Sequence, residues 1–226
     1  MTIAENFSRI QDRIAEALHR SGRKDSVQLV GVTKYVDVAA AQQLFEAGCT
    51  TLGESRPQQL WQRADELSEL PICWHMIGHL QRNKIKRTLP LVELIHSVDS
   101  RRLAAAINEQ AAAIDRTVDV CLEVNVSGDE AKHGFAAEEL PEVLGEMQTL
   151  EHLRVVGLMG MASFDRRGSE SRQDFQRLRT LFDELSDEHS LTQLSMGMSG
   201  DFEVAIEEGS TIVRVGSALF EGVPRM

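Results

Sequence analysis

The sequence lacks any apolar run of the roughly 20 residues that a membrane-spanning helix needs. Its start, MTIAENFSRIQDRI, is amphipathic and has no signal-type apolar core. A cytoplasmic protein with no membrane association is the expectation. Basic charge is also short: 24 Lys and Arg stand against 35 Asp and Glu, a formal net charge of −11. Neutralising phosphates needs clustered cations, so this balance argues against general nucleic-acid binding. Arg82, Lys84, Lys86 and Arg87 are the one local exception and read as a solvated helix face. Cysteine is limited to Cys49, Cys73 and Cys121, far apart and without a CxxC pair. Each sits in or beside an apolar segment, the setting of buried thiols in a reducing compartment rather than of disulfides or metal ligands. No Pro/Gly-rich linker or low-complexity stretch divides the 226 residues, so residues 1–226 are expected to form one domain. That length supports a core without a disulfide or metal staple.

What is present alternates. Thr2 to about Arg20 carries a helical apolar stripe, ended by Ser21-Gly22. Strands are expected at Val27–Tyr35, Thr50–Gly53, Ile72–Ile77, Leu91–Val98, Val118–Val126, Leu153–Met161, Gln193–Met196 and Thr211–Val215. Helices are expected at Val38–Ala47 (closed by Gly48), Arg56–Leu67, Asn83–Thr88, Arg101–Ala113, Ala137–Gln148, Ser169–Asp187 and Asp201–Glu208, with an apolar tail helix beginning SALFEG. Strands alternating with helices imply βαβ units and a parallel sheet. Eight units fit a (β/α)₈ TIM barrel with an extra N-terminal helix, the rival being an open doubly wound sheet. The outer helices show no apolar seam, so a monomer or weak dimer is expected.

Functional residues of such a barrel gather at the C-terminal strand ends. The first strand, VQLVGVTKY, ends at Lys34. A lysine there either reaches into solvent or serves as a partly desolvated amine that attacks an aldehyde. The seventh strand leads into GMSGD, with Gly197 and Gly200 flanking Ser199 before a helix. The eighth ends in Arg214-Val215-Gly216-Ser217. Small residues let backbone N–H groups approach an anion, and the loops after strands 7 and 8 commonly hold a phosphate. Two Gly-Ser turns beside a lysine on the next strand predict a phosphorylated aldehyde or ketone ligand. Arg214 points either into the barrel or towards the helices. His75, His79 and His96 lie on or after strands 3 and 4 at spacings that meet no metal rule, so no metal is expected. Glu54, Asp99 and Asp201 are candidate bases, with charge compensation at a helix start the simpler role for Asp201.

The stretches LVGVTKY, LGES, WHMIGHLQRNK, EVNVSGDEAKHGF, GLMGMASF and MGMSGDFEVAIEEGSTIVRVGSALFEG resemble the YggS/PROSC family of pyridoxal-phosphate homeostasis proteins over nearly the whole chain. The resemblance implies a barrel similar to the N-terminal domain of alanine racemase, the fold-type III arrangement for pyridoxal 5′-phosphate (PLP). It further implies that Lys34 carries PLP as a Schiff base and that Ser199, Gly216 and Ser217 hold its phosphate. Arg214 would then face the pyridine nitrogen, and Lys132, in DEAKHG, would stand near the cofactor mouth with a role in loading or release. Ser55 stands where family members usually carry Asn and has a shorter reach to the cofactor.

PLP enzymes use a protonated pyridinium as electron sink, commonly beside an acidic partner, and an arginine cannot take up that proton. Racemisation also needs a second acid/base, which in the racemases is a tyrosine from an additional β domain. Tyr35 is the only tyrosine of this chain, beside Lys34. The reading is a PLP carrier with no catalytic residues, whose partners are PLP and PLP-dependent apo-enzymes. A PLP-dependent racemase or lyase is the alternative. A cofactor-free Schiff-base aldolase would share the lysine and the phosphate site.

Overall fold

The computed structural model describes residues 1–126, 133–163 and 168–223. Eight parallel strands close into a ring in chain order: β1 (Gln28–Val32), β2 (Thr51–Glu54), β3 (Cys73–Met76), β4 (Leu94–Val98), β5 (Val118–Val124), β6 (Leu153–Gly160), β7 (Gln193–Ser195) and β8 (Ile212–Val215). Pairs such as Val30 with Arg214 and Gly31 with Val215 join β8 to β1 and complete the closure. The helices are α1 (Ile3–Ser21), α2 (Val38–Glu46), α3 (Pro57–Glu66), α4 (Ile85–Thr88), α5 (Arg101–Ala112), α6 (Leu140–Met147), α7 (Arg172–His189) and α8 (Phe202–Glu207). This is the (β/α)₈ architecture expected from the alternation, and the open-sheet rival is excluded. No described helix is long and apolar enough to cross a membrane.

Two local expectations fail, each for a physical reason. The fourth strand begins at Leu94 rather than Leu91, because Leu89–Leu91 winds into a 3₁₀ turn around Pro90; proline has no N–H for a sheet ladder. The SALFEG tail forms turns, not a helix. The helix that would follow β8 is replaced by α1, which packs against α8 and α2 and so fills the gap between them. The buried Asn6 fixes that arrangement, its amide donating to Leu219 O (3.1 Å) and Glu221 O (2.9 Å). A Thr2/Glu5 capping box starts α1. Asp201 stands at the start of α8, as expected, and its carboxylate accepts from Met198 N–H at 2.6 Å, closing the turn before the helix.

Two cores result. The larger lies between sheet and helices and includes Leu52, Leu60, Ile95, Phe175 and Phe202. The smaller joins Val30 of β1 and Ile212 of β8 to Leu94, Cys121 and Met159 of β4, β5 and β6 on the far side, two sets of strands that meet only inside the ring. All three cysteines are free; Cys49 and Cys121 are buried, Cys73 half-buried. Burial pushes the Cys49 thiol up to about 11 and that of Cys121 to about 12. The basic cluster is a solvated face, with Arg82, Lys86 and Arg87 exposed, and Lys84 and Arg87 also lie over the Trp61 ring at 5.5 and 4.4 Å.

Candidate functional site

Parallel closure brings all eight C-terminal strand ends to one mouth, with β1 flanked by β8 and β2. Lys34 stands two residues beyond β1, half-buried, its Nζ 4.9 Å from the Tyr35 ring. Beneath it lies a buried ionic cluster. Glu54, the last residue of β2, pairs with Arg63 of α3 and accepts from the Thr33 hydroxyl. Arg63 also donates to Thr33 O (2.5 Å) and to Val36 O, the carbonyls that bracket Lys34 and Tyr35. The arginine therefore clamps the turn that presents the lysine. Burial pushes the Glu54 carboxyl up, against the pull of Arg63.

On the other side of β1, the turns after β7 and β8 meet. Ser199 Oγ accepts from Gly216 N–H at 3.1 Å and from Ala218 N–H at 3.4 Å. Two backbone donors thus converge on one oxygen, as they would on an oxygen of a phosphate. Gly197 turns at φ +94, where a Cβ would lie 2.6 Å from that of Ala205. Only glycine fits this turn. Ser217 is exposed in the same loop.

Arg214 resolves inward. It is buried, donating to Ser195 Oγ at 2.5 Å and Gly160 O at 3.2 Å, and burial lowers its pKa. Behind it runs a line of neutral polar groups. Ser195 Oγ lies 2.7 Å from His96 Nδ1, His96 Nε2 2.9 Å from His75 Nδ1, and His75 Nε2 3.5 Å from Cys73 Sγ. Because the guanidinium only donates, Ser195 accepts from it and passes its own proton donation to His96. Burial holds His75 at about 4 and His96 well below the usual range, so both imidazoles are neutral.

Ser55 lies half-buried just past β2, with its backbone against Gly78. Lys132 falls outside the described residues. The structure thus places Ser199, Gly216 and Ser217 in one loop cluster, Arg214 inside the ring below it, and Lys34 on the adjoining strand end. Sequence reading missed Arg63, Ser195 and the His75–His96 contact. Arg63 had a signal: it falls one turn after Leu60 on the buried stripe of α3, where a charge needs a partner.

Across the mouth, Glu123 is buried at the end of β5, pushed up first by burial and then by the charge of Asp99. His79 Nδ1 lies 2.9 Å from Asp99 Oδ2.

Residues 3–224 match the family described as alanine racemase, N-terminal domain. A pyridoxal phosphate homeostasis protein of Aquifex aeolicus is 40% identical over 223 residues, covering 97% of this chain and 98% of its own. The structure of PipY from Synechococcus elongatus with PLP bound superposes with a TM-score of 0.82 at 36% identity, over 92% of this chain and 99% of PipY. An alanine racemase of Clostridium difficile shares the fold at 16% identity and a TM-score of 0.76, with 97% of this chain covering 56% of that enzyme.

Proposed function

The chain belongs to the alanine racemase N-terminal-domain family and to the pyridoxal phosphate homeostasis proteins, and on that premise we propose that it holds PLP as a Schiff base on Lys34 and buffers or delivers it to apo-enzymes. The observation that carries this reading is the convergence of Gly216 N–H and Ala218 N–H on Ser199, one strand round from Lys34. That pocket suits a phosphate. A half-buried amine on the neighbouring strand end suits the aldehyde of the same molecule. In this reading residues 1–226 act as one cofactor-binding domain, Ser55 flanks the ring, Ser217 adds a hydroxyl at the phosphate, and Lys132 attends loading or release.

When bound, PLP supplies an electron sink through a protonated pyridine nitrogen. Arg214, the residue proposed to face that nitrogen, donates hydrogen bonds and cannot take up its proton. Ser195 and Gly160 O hold the guanidinium in place. Burial favours a neutral ring over a second cation beside the first. Tyr35, the one tyrosine, is 52% exposed and stacks beside the lysine rather than facing it across a substrate. The site is built to hold the cofactor, not to run amino-acid chemistry with it.

The test has two readouts on the PLP-loaded protein. It is expected to restore activity to an apo PLP enzyme, while exchanging the α-hydrogen of amino acids in deuterated water no faster than free PLP. Exchange well above free PLP for any amino acid would instead make the protein a racemase or lyase.

A further inference from the structure

We propose that the barrel mouth carries a second, independent site for a divalent transition-metal ion, zinc being the best match, built from His79, Asp99 and His133 with Glu123 beneath. The three side chains come from different strand ends: His79 from beyond β3, Asp99 directly after β4, and His133 from the connection between β5 and α6. One ligand atom from each lies within 4.8 Å of the others. Asp99 Oδ2 stands 2.9 Å from His79 Nδ1 and 3.9 Å from His133 Nδ1. Zinc–nitrogen bonds of about 2.0–2.1 Å put tetrahedral ligand atoms roughly 3.3 Å apart, so these separations need only small rotamer adjustments. The two imidazoles stack with centroids 5.2 Å apart.

Two further observations point to a ligand. Glu123 is only 8% exposed. It sits close enough to Asp99, Arg214, His133 and His79 to feel the charge of each. Ionising a carboxylate at that depth is costly, and an ion bound above it, or the water on that ion, would offset the cost. Second, the backbone is built to put His133 there. Phe135 N–H donates to Glu123 O at 2.8 Å and Asn125 N–H to Phe135 O at 3.0 Å, folding the chain back along the end of β5. Gly134 makes the reversal at φ +112, with its Cα so close that a Cβ would lie 2.9 Å from Glu123 O.

Two imidazoles and a carboxylate suit zinc better than magnesium or calcium, which favour all-oxygen shells. The ion would staple the connection after β5 to the ends of β3 and β4, on the wall of the mouth across from Lys34 and Ser199. No sequence spacing could announce it, because the ligands come from three connections.

The test is calorimetric titration of Zn²⁺ into the untagged chain at pH 7.5, with no PLP added. One saturable equivalent is expected. His79→Ala and His133→Ala should each weaken it tenfold or more, and Glu123→Gln severalfold. X-ray absorption of the loaded protein should show two imidazole nitrogens in the shell. No saturable uptake, or uptake undiminished in both histidine variants, would overturn the site. Both histidines are exposed, so their removal should leave the fold intact, with an unchanged circular dichroism spectrum. The site does not rest on the cofactor proposal: His79→Ala should keep any PLP colour while losing zinc, so either reading can fail alone.

Discussion

Arg63→Met should destabilise the fold by about 3–5 kcal/mol, the usual cost of removing one partner of a buried ion pair. The arginine is 3% exposed and Glu54 fully buried, so the stranded carboxylate finds no water. One oxygen of that carboxylate already lacks a hydrogen-bond partner. The loss should show as a lower urea midpoint at unchanged slope. Adding Glu54→Leu to Arg63→Met should recover a large part of it, because the uncompensated charge is gone. The single variant should also respond to pH in a definite direction. A carboxyl whose folded pKa is raised loses stability as pH rises through the interval above its unfolded value. Relative to the parent, Arg63→Met should therefore regain stability as pH falls from 7 towards 5. A variant as stable as the parent at pH 7 would show that the clamp contributes nothing. Since Arg63 also holds the carbonyls of Thr33 and Val36, the same change should loosen Lys34 and weaken any Schiff base formed there.

Acidification should cost the parent protein stability through the paired histidines inside the ring. His75 is held at about 4 and His96 well below its usual range, whereas an unfolded histidine titrates near 6.5. Between those values the unfolded chain binds more protons than the folded one, so stability falls as pH drops. Each histidine contributes a slope of about 1.4 kcal/mol per pH unit. For His75 this amounts to about 2 kcal/mol between pH 7.5 and pH 5. Glu54, Glu123 and Asp201 work the opposite way, since burial raises all three. Urea midpoints at pH 7.5 and 5.0, compared between the parent and His75→Asn, isolate the histidine share: the variant should be about 2 kcal/mol less acid-sensitive. Equal acid sensitivity in the two proteins would mean that His75 protonates normally in the fold.

The sequence yielded the barrel because its signals are local. Alternation of short β-branched runs with amphipathic stretches sets the element order, and β1 to β8 appear within a few residues of their expected limits. The misses come where tertiary packing decides. The tail SALFEG reads as helical, yet α1, remote in sequence, already fills the place that a helix there would take and fixes the tail through Asn6. Pro90 marked a break that the apolar run around it obscured. At the site, Lys34, Ser199, Arg214 and Gly216 were legible because a charge at a strand end, or a Gly-Ser turn before a helix, needs a reason to be there. Arg214 pointed inward or outward with equal warrant until the ring closed. Ser195, His96 and His75 are ordinary residues of apolar strands, and only closure lines them up behind the guanidinium.

The most direct measurement is the absorbance spectrum of the PLP-loaded protein beside Lys34→Ala, before and after borohydride. The account predicts a yellow Schiff-base band in the parent, bleached by reduction, with the adduct recovered by peptide mass spectrometry on Lys34 and no band in the variant. A parent that takes up no colour from excess PLP, or a reduced adduct on another lysine that persists in Lys34→Ala, would contradict it.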